Sequence, residues 1–439
     1  MLKKACLIAS LCVISSASLA LAQTQSSKVA LVIPQLFGPN GLIVETTTPP
    51  AFNHQGHFLN AFQSEFTQFN TALANQLASL PLPSPASGFT YTFDAATGAF
   101  TRSAQSFGPI LAERAETIGK RKFTFGFSYQ RFTFDSIEGG DLNQVRAVFT
   151  HEALPANFPP GVDSSFVKDI VTTVNTVRST FDQSTAYLSY GVTDWLDASL
   201  AVPIVHASLQ ASSAAYIDRV SGSAPNIHFF SDPSAPGGFG KTKNYSNSAS
   251  ATGIGDLTIR VKGRVAKWEH AGVAVGMDFR LPTGDEMNLL GSGTAGYRPF
   301  AAISFGYHRI SPHVNVGYQF NGDSVLAGDP VTGTKAPFPD QFNYIAGTDV
   351  GVTRRLTVAF DVLGQRSSNA QRLFRQTYVG TSWETIGFRT DTLHTLDGAI
   401  GIKFNPFGGL LLNCNFMFQM NDSGLRDKLT PLFGAAYTF

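Results

Sequence analysis

The sequence predicts an all-β membrane protein, a transmembrane antiparallel β-barrel of about 12 strands, from three observations. The chain begins with the features of an export signal. Apolar side chains then alternate with small or polar ones through most of residues 121–439, and the connections between the alternating runs are in turn short and long. In a membrane barrel one face of each strand contacts lipid and the other faces the lumen, and short periplasmic turns alternate with longer extracellular loops.

Residues 1–22 have the composition of a cleaved signal peptide. Lys3 and Lys4 precede an apolar run, and the small residues Ala20 and Ala22 frame a cleavage site that we place after Ala22. Beyond this point no apolar run approaches the roughly 20 residues that a membrane helix needs. We therefore expect an exported protein that, if it spans a membrane, spans it with strands.

The composition argues against several other classes of protein. Cys6 and Cys12 lie in the predicted signal, so Cys414 is the one cysteine of the mature chain and no internal disulfide can form. Removal of Lys3 and Lys4 lowers the formal net charge of +1 by two, and this leaves none of the basic excess that is typical of nucleic-acid binders. The 41 Gly, 37 Phe and only 14% charged residues favour many strands with an apolar exterior.

The alternating runs are about 9–11 residues long, the length that a tilted strand needs to cross a membrane. The predicted strands lie near 122–135, within 169–190, and near 196–209, 254–265, 271–281, 299–308, 313–321, 341–350, 355–364, 392–404, 409–420 and 431–439. Long loops are expected at 211–251 and 365–391, among others. The apolar face changes sides at Pro203 and at Gln130–Arg131, which we interpret as two bulges.

Residues 23–120 follow a different pattern from the predicted barrel, residues 121–439. Large apolar side chains three and four positions apart predict one helix with a continuous apolar stripe. The stripe consists of Phe58, Phe62, Phe66, Phe69, Leu73 and Leu77. Pro81 and Pro83 end the helix, and residues 89–102 predict a hairpin. A plug inside the barrel, a small periplasmic subdomain and a helix lying on the membrane surface are all compatible with this segment.

The final residues carry a pattern of their own. Phe433, Tyr437 and the terminal Phe439 occupy alternate positions of the last predicted strand. An aromatic terminal residue preceded by alternating apolar side chains resembles the signal that the outer-membrane barrel assembly machinery reads.

Charged residues mark the predicted lumen face. Arg260, Lys262 and Arg264 alternate with outward apolar residues, and Asp278, Arg280 and Asp361 are further lumen-facing candidates. A turn at 266–270 is expected to place the three basic residues opposite Gly276, Ala274 and Gly272. Rings of basic side chains favour anions in pores. The alternative is that Asp278, Asp349, Asp361 and Asp397 neutralise them in a structural network.

The sequence contains no convincing catalytic or metal-binding pattern. Its nine histidines are scattered, and no nucleophile elbow, phosphate-binding glycine loop or zinc-ligand spacing is present. His308 and His313 flank one predicted periplasmic turn, where we expect them to be exposed. We therefore expect neither an enzyme nor a cofactor, and no metal site.

Four short segments together resemble a known family. They are YGVTDWLD at 190–197, AVPI at 201–204, GIGDL at 253–257 and LPTGD at 281–285. In this order they resemble the outer-membrane transporters of the phenol-degradation MetA-pathway family, which are grouped with FadL-type channels. The resemblance spans roughly residues 120–439 and implies passage of small, aromatic or otherwise apolar molecules. It supplies no ligand residues and does not include residues 23–120.

Two functions follow as expectations. The first is an outer-membrane channel that passes small hydrophobic or aromatic compounds by passive diffusion. The alternative is a non-transporting barrel with a structural or surface-interaction role for its long loops. A barrel of about 12 strands is narrow enough to be filled by side chains, so the fold alone does not decide between them. The expected partners are outer-membrane lipid and lipopolysaccharide, the barrel assembly machinery and small solutes, without nucleic acid.

Overall fold

Twelve antiparallel strands close into one barrel in the computed structural model. The residues described are 28–38, 41–47, 58, 67–74, 76, 91–94, 99–102, 106–151, 164–219, 222–378 and 382–439. The barrel strands are β1 (Phe123–Phe134), β2 (Ile170–Gly191), β3 (Leu196–Asp218), β4 (Leu257–Lys267), β5 (Ala271–Leu281), β6 (Gly296–Phe305), β7 (Ile310–Asn321), β8 (Gln341–Gly351), β9 (Leu356–Thr377), β10 (Glu384–Phe404), β11 (Leu410–Gln419) and β12 (Leu429–Thr438). Each strand pairs with the next, and β12 pairs with β1 in the register Tyr437↔Phe125. Closure leaves no free edge in the wall, which a β-structure inside lipid requires.

The lower part of the barrel has an apolar exterior and a polar interior. On β1, for example, Phe125 is 54% exposed whereas the neighbouring Thr124 is 2% exposed and faces inward. The most exposed aromatic side chains lie at the short-turn end, as in the girdles of membrane barrels. They are Trp195, Trp268, Tyr307, Phe407 and Phe439. This belt on a closed barrel places the protein in an outer membrane, with the short turns on the periplasmic side.

Above this belt the two faces of the wall exchange their polarity. On β3 the inward Ala207 and Leu209 are fully buried, and the outward Ser212 is exposed. The pairing of β2 with β3 and of β1 with β2 continues without any shift through Pro203 and through Gln130–Arg131. The two predicted bulges were therefore wrong. The apolar face changes sides because the strand leaves lipid, so that its outside meets water and its inside meets an apolar core.

We call this extracellular part of the wall the upper tier. The predicted loops 211–251 and 365–391 were wrong in extent, since strands β2, β3, β9 and β10 continue into it. The strand Thr242–Ile254 also pairs with β3. The chain enters β4 directly after this strand. The residues that extend these strands into the upper tier are mostly small or polar, so they lack the strong apolar alternation that marks the membrane-spanning strands. Val145–Thr150 pairs with β2 and completes the upper tier.

Smaller elements complete the described chain. They are 3-10 turns at Val29–Leu31, Ser165–Lys168, Pro236–Gly238 and Glu286–Asn288, and short strands at Ser136–Ile137, Gly140–Asp141, Phe230–Ser231, Phe239–Gly240, Asp323–Asp329, Thr334–Pro337 and Leu425–Arg426. Among the described residues, no helix has both the length and the apolar character needed to cross a membrane.

Part of the N-terminal segment packs inside the upper tier. Residues 28–38 and 41–47, with the helical residues 67–74 and 76, contribute to its apolar core, and we call them the cap segment. Asn247 Nδ2 donates to Val32 O (3.1 Å), and the main chains of Glu45 and Phe229 exchange hydrogen bonds. Of the predicted stripe, Phe58, Phe69 and Leu73 are at most 2% exposed. Phe62, Phe66, Leu77 and the signal peptide lie outside the described residues. A hairpin of Tyr91–Asp94 and Ala99–Arg102 follows.

Candidate functional site

Residues 106–119, which we call the strap, lie inside the barrel at its periplasmic end. Main-chain groups of the strap bind inward side chains on opposite parts of the wall. Phe107 N donates to Thr357 Oγ1 (3.0 Å), Ala115 N donates to Ser304 Oγ (2.9 Å) and Ile118 N donates to Asp197 Oδ2 (3.1 Å). These partners sit on β9, β6 and β3, so the strap crosses the lumen from one side to the other.

Buried charges fix the strap further. Lys403 Nζ on β10 donates to the carbonyl oxygens of Phe107 (3.3 Å) and Pro109 (2.5 Å). Arg114 pairs with Asp349 of β8 and its guanidinium occupies the space beside Gly108, where a Cβ would lie 2.3 Å from Arg114 Nε. Gly108 also has a φ of +82°, so this position requires glycine on two grounds.

Glu113 of the strap joins the predicted basic ladder. It forms ion pairs with Arg260 and Lys262, the latter 3.3 Å from Oε2 to Nζ. Lys262 Nζ also donates to Arg114 O and Glu116 O, each at 3.0 Å. Arg264 lies apart from this group near the rim, where it donates to Asp194 O. Two of the three ladder residues therefore meet a carboxylate.

The residues expected to lie opposite the basic ladder were wrong by two positions along β5. Arg260 lies opposite Asp278, Lys262 opposite Gly276 and Arg264 opposite Ala274. The pairing shifts between Arg264 and Ala266, and the turn closes through Trp268 N to Ala271 O. The turn is therefore centred later in the chain than the sequence suggested.

The expected exposure of His313 was also wrong, whereas His308 is exposed. His313 is 2% exposed and lies between two inward carboxylates, with Nε2 2.6 Å from Asp361 Oδ1 and Nδ1 3.4 Å from Asp349 Oδ1. Asp361 therefore belongs to a polar network below the lumen centre. The turn after β6 ends earlier than predicted, so that β7 begins at Ile310. His313 therefore lies within β7, on its inner face.

Above the strap the described residues leave a chamber of about 280 Å³. Leu111 and Glu113 of the strap form its floor, and Leu289 and Leu290 of the loop after β5 line its upper side. One wall is charged and consists of Asp256, Arg260, Asp278, Arg280 and Arg298. The opposite wall carries amides and apolar groups, among them Gln341, Asn343, Gln365, Leu363 and Met417. A cavity of this kind can hold a small amphiphilic molecule.

Residues 281–292, which we call the inner loop, are held over the chamber by Asp256. Its carboxylate accepts hydrogen bonds from Gly284 N (3.1 Å), Ser292 N (2.8 Å) and Ser292 Oγ (2.6 Å). Thr283 Oγ1 donates to Gly255 O, and Gly255 N donates to Pro203 O. The segments AVPI, GIGDL and LPTGD, separate in sequence, are therefore in contact. The YGVTDWLD segment holds the strap instead, through Asp194 O and Asp197.

The cap segment contacts the extracellular side of the inner loop. Lys28 Nζ lies 2.9 Å from Asp285 Oδ2. Partial burial alone would raise the pKa of Asp285, but the hydrogen bond and charge of Lys28, helped by Asn288, hold this pKa below its usual range. The pair is partly exposed, so it contributes little to stability by itself.

The predicted assembly residues lie on the outer face of β12 or at its end. Phe433, Tyr437 and Phe439 are 46%, 39% and 65% exposed, and Phe439 N donates to Phe123 O (2.8 Å). The last residue therefore joins the strand pair that closes the barrel.

Sequence reasoning did not single out several residues of the site. Arg298 and Lys403 occupy inward positions that the two-residue period could have identified. Glu113 and Arg114 lie in an irregular stretch that gives no periodic signal. Only the folded barrel brings Arg298 to the chamber, Lys403 to the strap, and the strap residues Glu113 and Arg114 to their partners on the wall.

The model of the family described as "Putative MetA-pathway of phenol degradation" matches residues 153–424. Among solved structures, the COG4313 outer membrane channel from Pseudomonas putida F1 is similar at 11% identity, with a TM-score of 0.43, over 75% of this chain and 100% of that one. A FadL homologue from Pseudomonas aeruginosa is similar at 10% identity, with a TM-score of 0.32, over 81% and 96%. Comparison of the sequence with curated proteins gave no match.

Proposed function

Because the chain belongs to the family described as the MetA-pathway of phenol degradation, we propose that it is a gated outer-membrane channel for small hydrophobic or aromatic compounds. The observation that supports this function is the chamber between the strap and the inner loop. It is lined by residues of strands β2 to β11, combines apolar and polar walls, and has a volume close to the lower end for small-molecule sites. Passage is passive, with no chemical step.

In this proposal the strap and the cap segment together act as a plug. The strap closes the periplasmic side and the cap segment fills the upper tier. The strap is held by side-chain hydrogen bonds and ion pairs, which exchange with water when the strap moves. The barrel strands are held by a closed ladder of main-chain hydrogen bonds. Movement of the strap is therefore easier than deformation of the wall.

Proteoliposomes provide the test. Release of benzenesulfonate, a charged aromatic that lipid alone retains, and of sucrose would be compared for the full mature chain and for a variant lacking residues 23–120, with protein-free liposomes as the baseline. We expect release of benzenesulfonate above baseline from the full chain, and faster release of both solutes from the variant. Folded protein that releases neither solute in either form would favour the non-transporting barrel. Equal release by both forms would favour a separate periplasmic role for residues 23–120.

A further inference from the structure

The charged wall of the chamber has a hydrogen-bonding imbalance. Asp278 is saturated, because Arg260 donates from Nε (2.6 Å) and Nη2 (2.8 Å) and Arg298 donates from Nε (3.1 Å) and Nη2 (2.5 Å). Glu113 is engaged by Arg260 and Lys262. These carboxylates therefore have little capacity for a further cation.

Arg280 is the arginine of this wall whose hydrogen bonds no carboxylate accepts among the described residues. Its Nη2 donates to the neutral amide oxygen of Asn321 (2.7 Å), and its Nε donates to no acceptor among the described residues. The nearest carboxylate is Asp256, whose Oδ2 lies 3.7 Å away. Both oxygens of Asp256 already accept hydrogen bonds from the inner loop. Arg280 thus lines the chamber without a carboxylate that accepts its hydrogen bonds.

The upper side of the chamber provides an apolar surface close to this cation. Leu289 and Leu290 are buried, and Leu289 has a φ of +55°, a strained conformation for a residue with a side chain. The inner loop can pack this closely because Gly255 has no side chain, since a Cβ there would lie 3.0 Å from Leu290 O. Strain retained in this way is common where a side chain is positioned for a ligand.

We propose that the chamber binds a small monocarboxylate with an apolar body. The carboxylate accepts hydrogen bonds from Arg280 and Arg298, and the apolar body lies against Leu289 and Leu290. Planar guanidinium groups match the two oxygens of a carboxylate. One unsaturated cation calls for a single negative charge rather than a dianion. This inference rests on the proposed function, because it names the solute class of the same chamber.

Calorimetric titration of the purified full mature chain in detergent tests the proposal, with benzoate, benzyl alcohol and inorganic phosphate as probes. We expect benzoate to bind at least about tenfold more tightly than the other two, because only benzoate offers both a carboxylate to the arginines and an apolar ring to Leu289 and Leu290. Arg280→Gln should weaken benzoate binding by about tenfold or more. Arg264→Gln is the matched control, since Arg264 lies at the rim away from the chamber, and it should leave binding unchanged.

A shift of electrophoretic mobility on heating would report folding of each variant. Arg298→Gln offers a second substitution at the same chamber if Arg280→Gln does not fold. Equal binding of benzoate and benzyl alcohol, or unchanged benzoate affinity in the folded chamber variants, would overturn the carboxylate site. Release of benzenesulfonate from proteoliposomes without benzoate binding would refute this site alone. Benzoate binding that depends on Arg280, without release of any solute, would refute the channel and support the site.

Discussion

Arg114 and Asp349 form a buried ion pair, with 3.3 Å between Nη2 and Oδ2, that joins the strap to the barrel wall at β8. Their side chains are 4% and 1% exposed. Removing one partner of such a pair leaves the other charge uncompensated and typically costs about 3–5 kcal/mol. The pair therefore does more to hold the strap than a surface ion pair could.

The Arg114–Asp349 pair gives the first prediction. Arg114→Ala should loosen the strap and raise single-channel conductance in planar bilayers, because His313 and Ser106 are then the only partners of Asp349 among the described residues. The double variant Arg114→Asp with Asp349→Arg is the control, and it should return conductance part of the way to the wild-type value. A folded Arg114→Ala variant that conducts like the wild type would show that this pair does not hold the gate.

The second prediction concerns the exchange of polarity along the wall. Val275→Arg, on the outer face of the lower barrel, should destabilise the protein in lipid by about 2–4 kcal/mol. Ile259→Arg should behave in the same way. The inward change Ala274→Ser should cost far less.

Ser212→Arg provides the matched control for these lipid-face changes. Ser212 also faces outward, but it lies in the upper tier, where an arginine meets water and should cost less than about 0.5 kcal/mol. Urea unfolding in lipid vesicles measures all four changes. Similar losses for Val275→Arg and Ser212→Arg would place the membrane boundary elsewhere.

The third prediction concerns the basic ladder. Lys262→Glu would place a third carboxylate beside Glu113 and Asp197, whose oxygens lie 3.3 and 3.9 Å from Lys262 Nζ. We expect the strap to be displaced, so that conductance rises and any change in reversal potential accompanies that rise. Lys262→Met removes the charge without adding repulsion and should have a smaller effect. A lower anion preference at unchanged conductance would instead place the ladder on an already open path.

The fourth prediction concerns assembly. Deletion of Phe439 removes the hydrogen bond from its N–H to Phe123 O at the strand pair that closes the barrel. We expect export to the periplasm to continue while the heat-modifiable form is lost from the outer membrane. Phe439→Tyr retains an aromatic terminal residue and should assemble normally. Wild-type levels of heat-modifiable barrel after the deletion would refute an assembly role for this residue.

The membrane-spanning strands could be predicted from sequence because lipid imposes a strict two-residue period. The same reasoning gave the wrong cause at Pro203, where the period continues and only the environment changes. The apolar core inside the upper tier is formed together with the cap segment. The sequence of a single strand therefore does not show that its inner face becomes apolar there. The residues Arg260 and Asp278 could be placed on the lumen face, but their pairing required the register of the turn at Trp268–Ala271.

The strap was harder to anticipate for a related reason. Glu113 and Arg114 have no periodic neighbours, and their partners come from strands about 150 or more positions later in the chain. The four resembling segments identified the family but not their shared role. In the fold, Asp197 holds the strap and Asp256 holds the inner loop.

A reversible cross-link between the strap and the wall tests most directly whether passage requires the strap to move. A Cβ at Gly272 of β5 would lie 3.1 Å from Ala115 Cβ, close to the roughly 3.5–4.5 Å found in disulfides. Ala115→Cys with Gly272→Cys, made in a Cys414→Ser background, should therefore lock the strap when oxidised. We predict that oxidised proteoliposomes release benzenesulfonate no faster than protein-free liposomes, and that reduction restores release. Equal release in both states, with the disulfide verified by mass spectrometry, would contradict a movable strap.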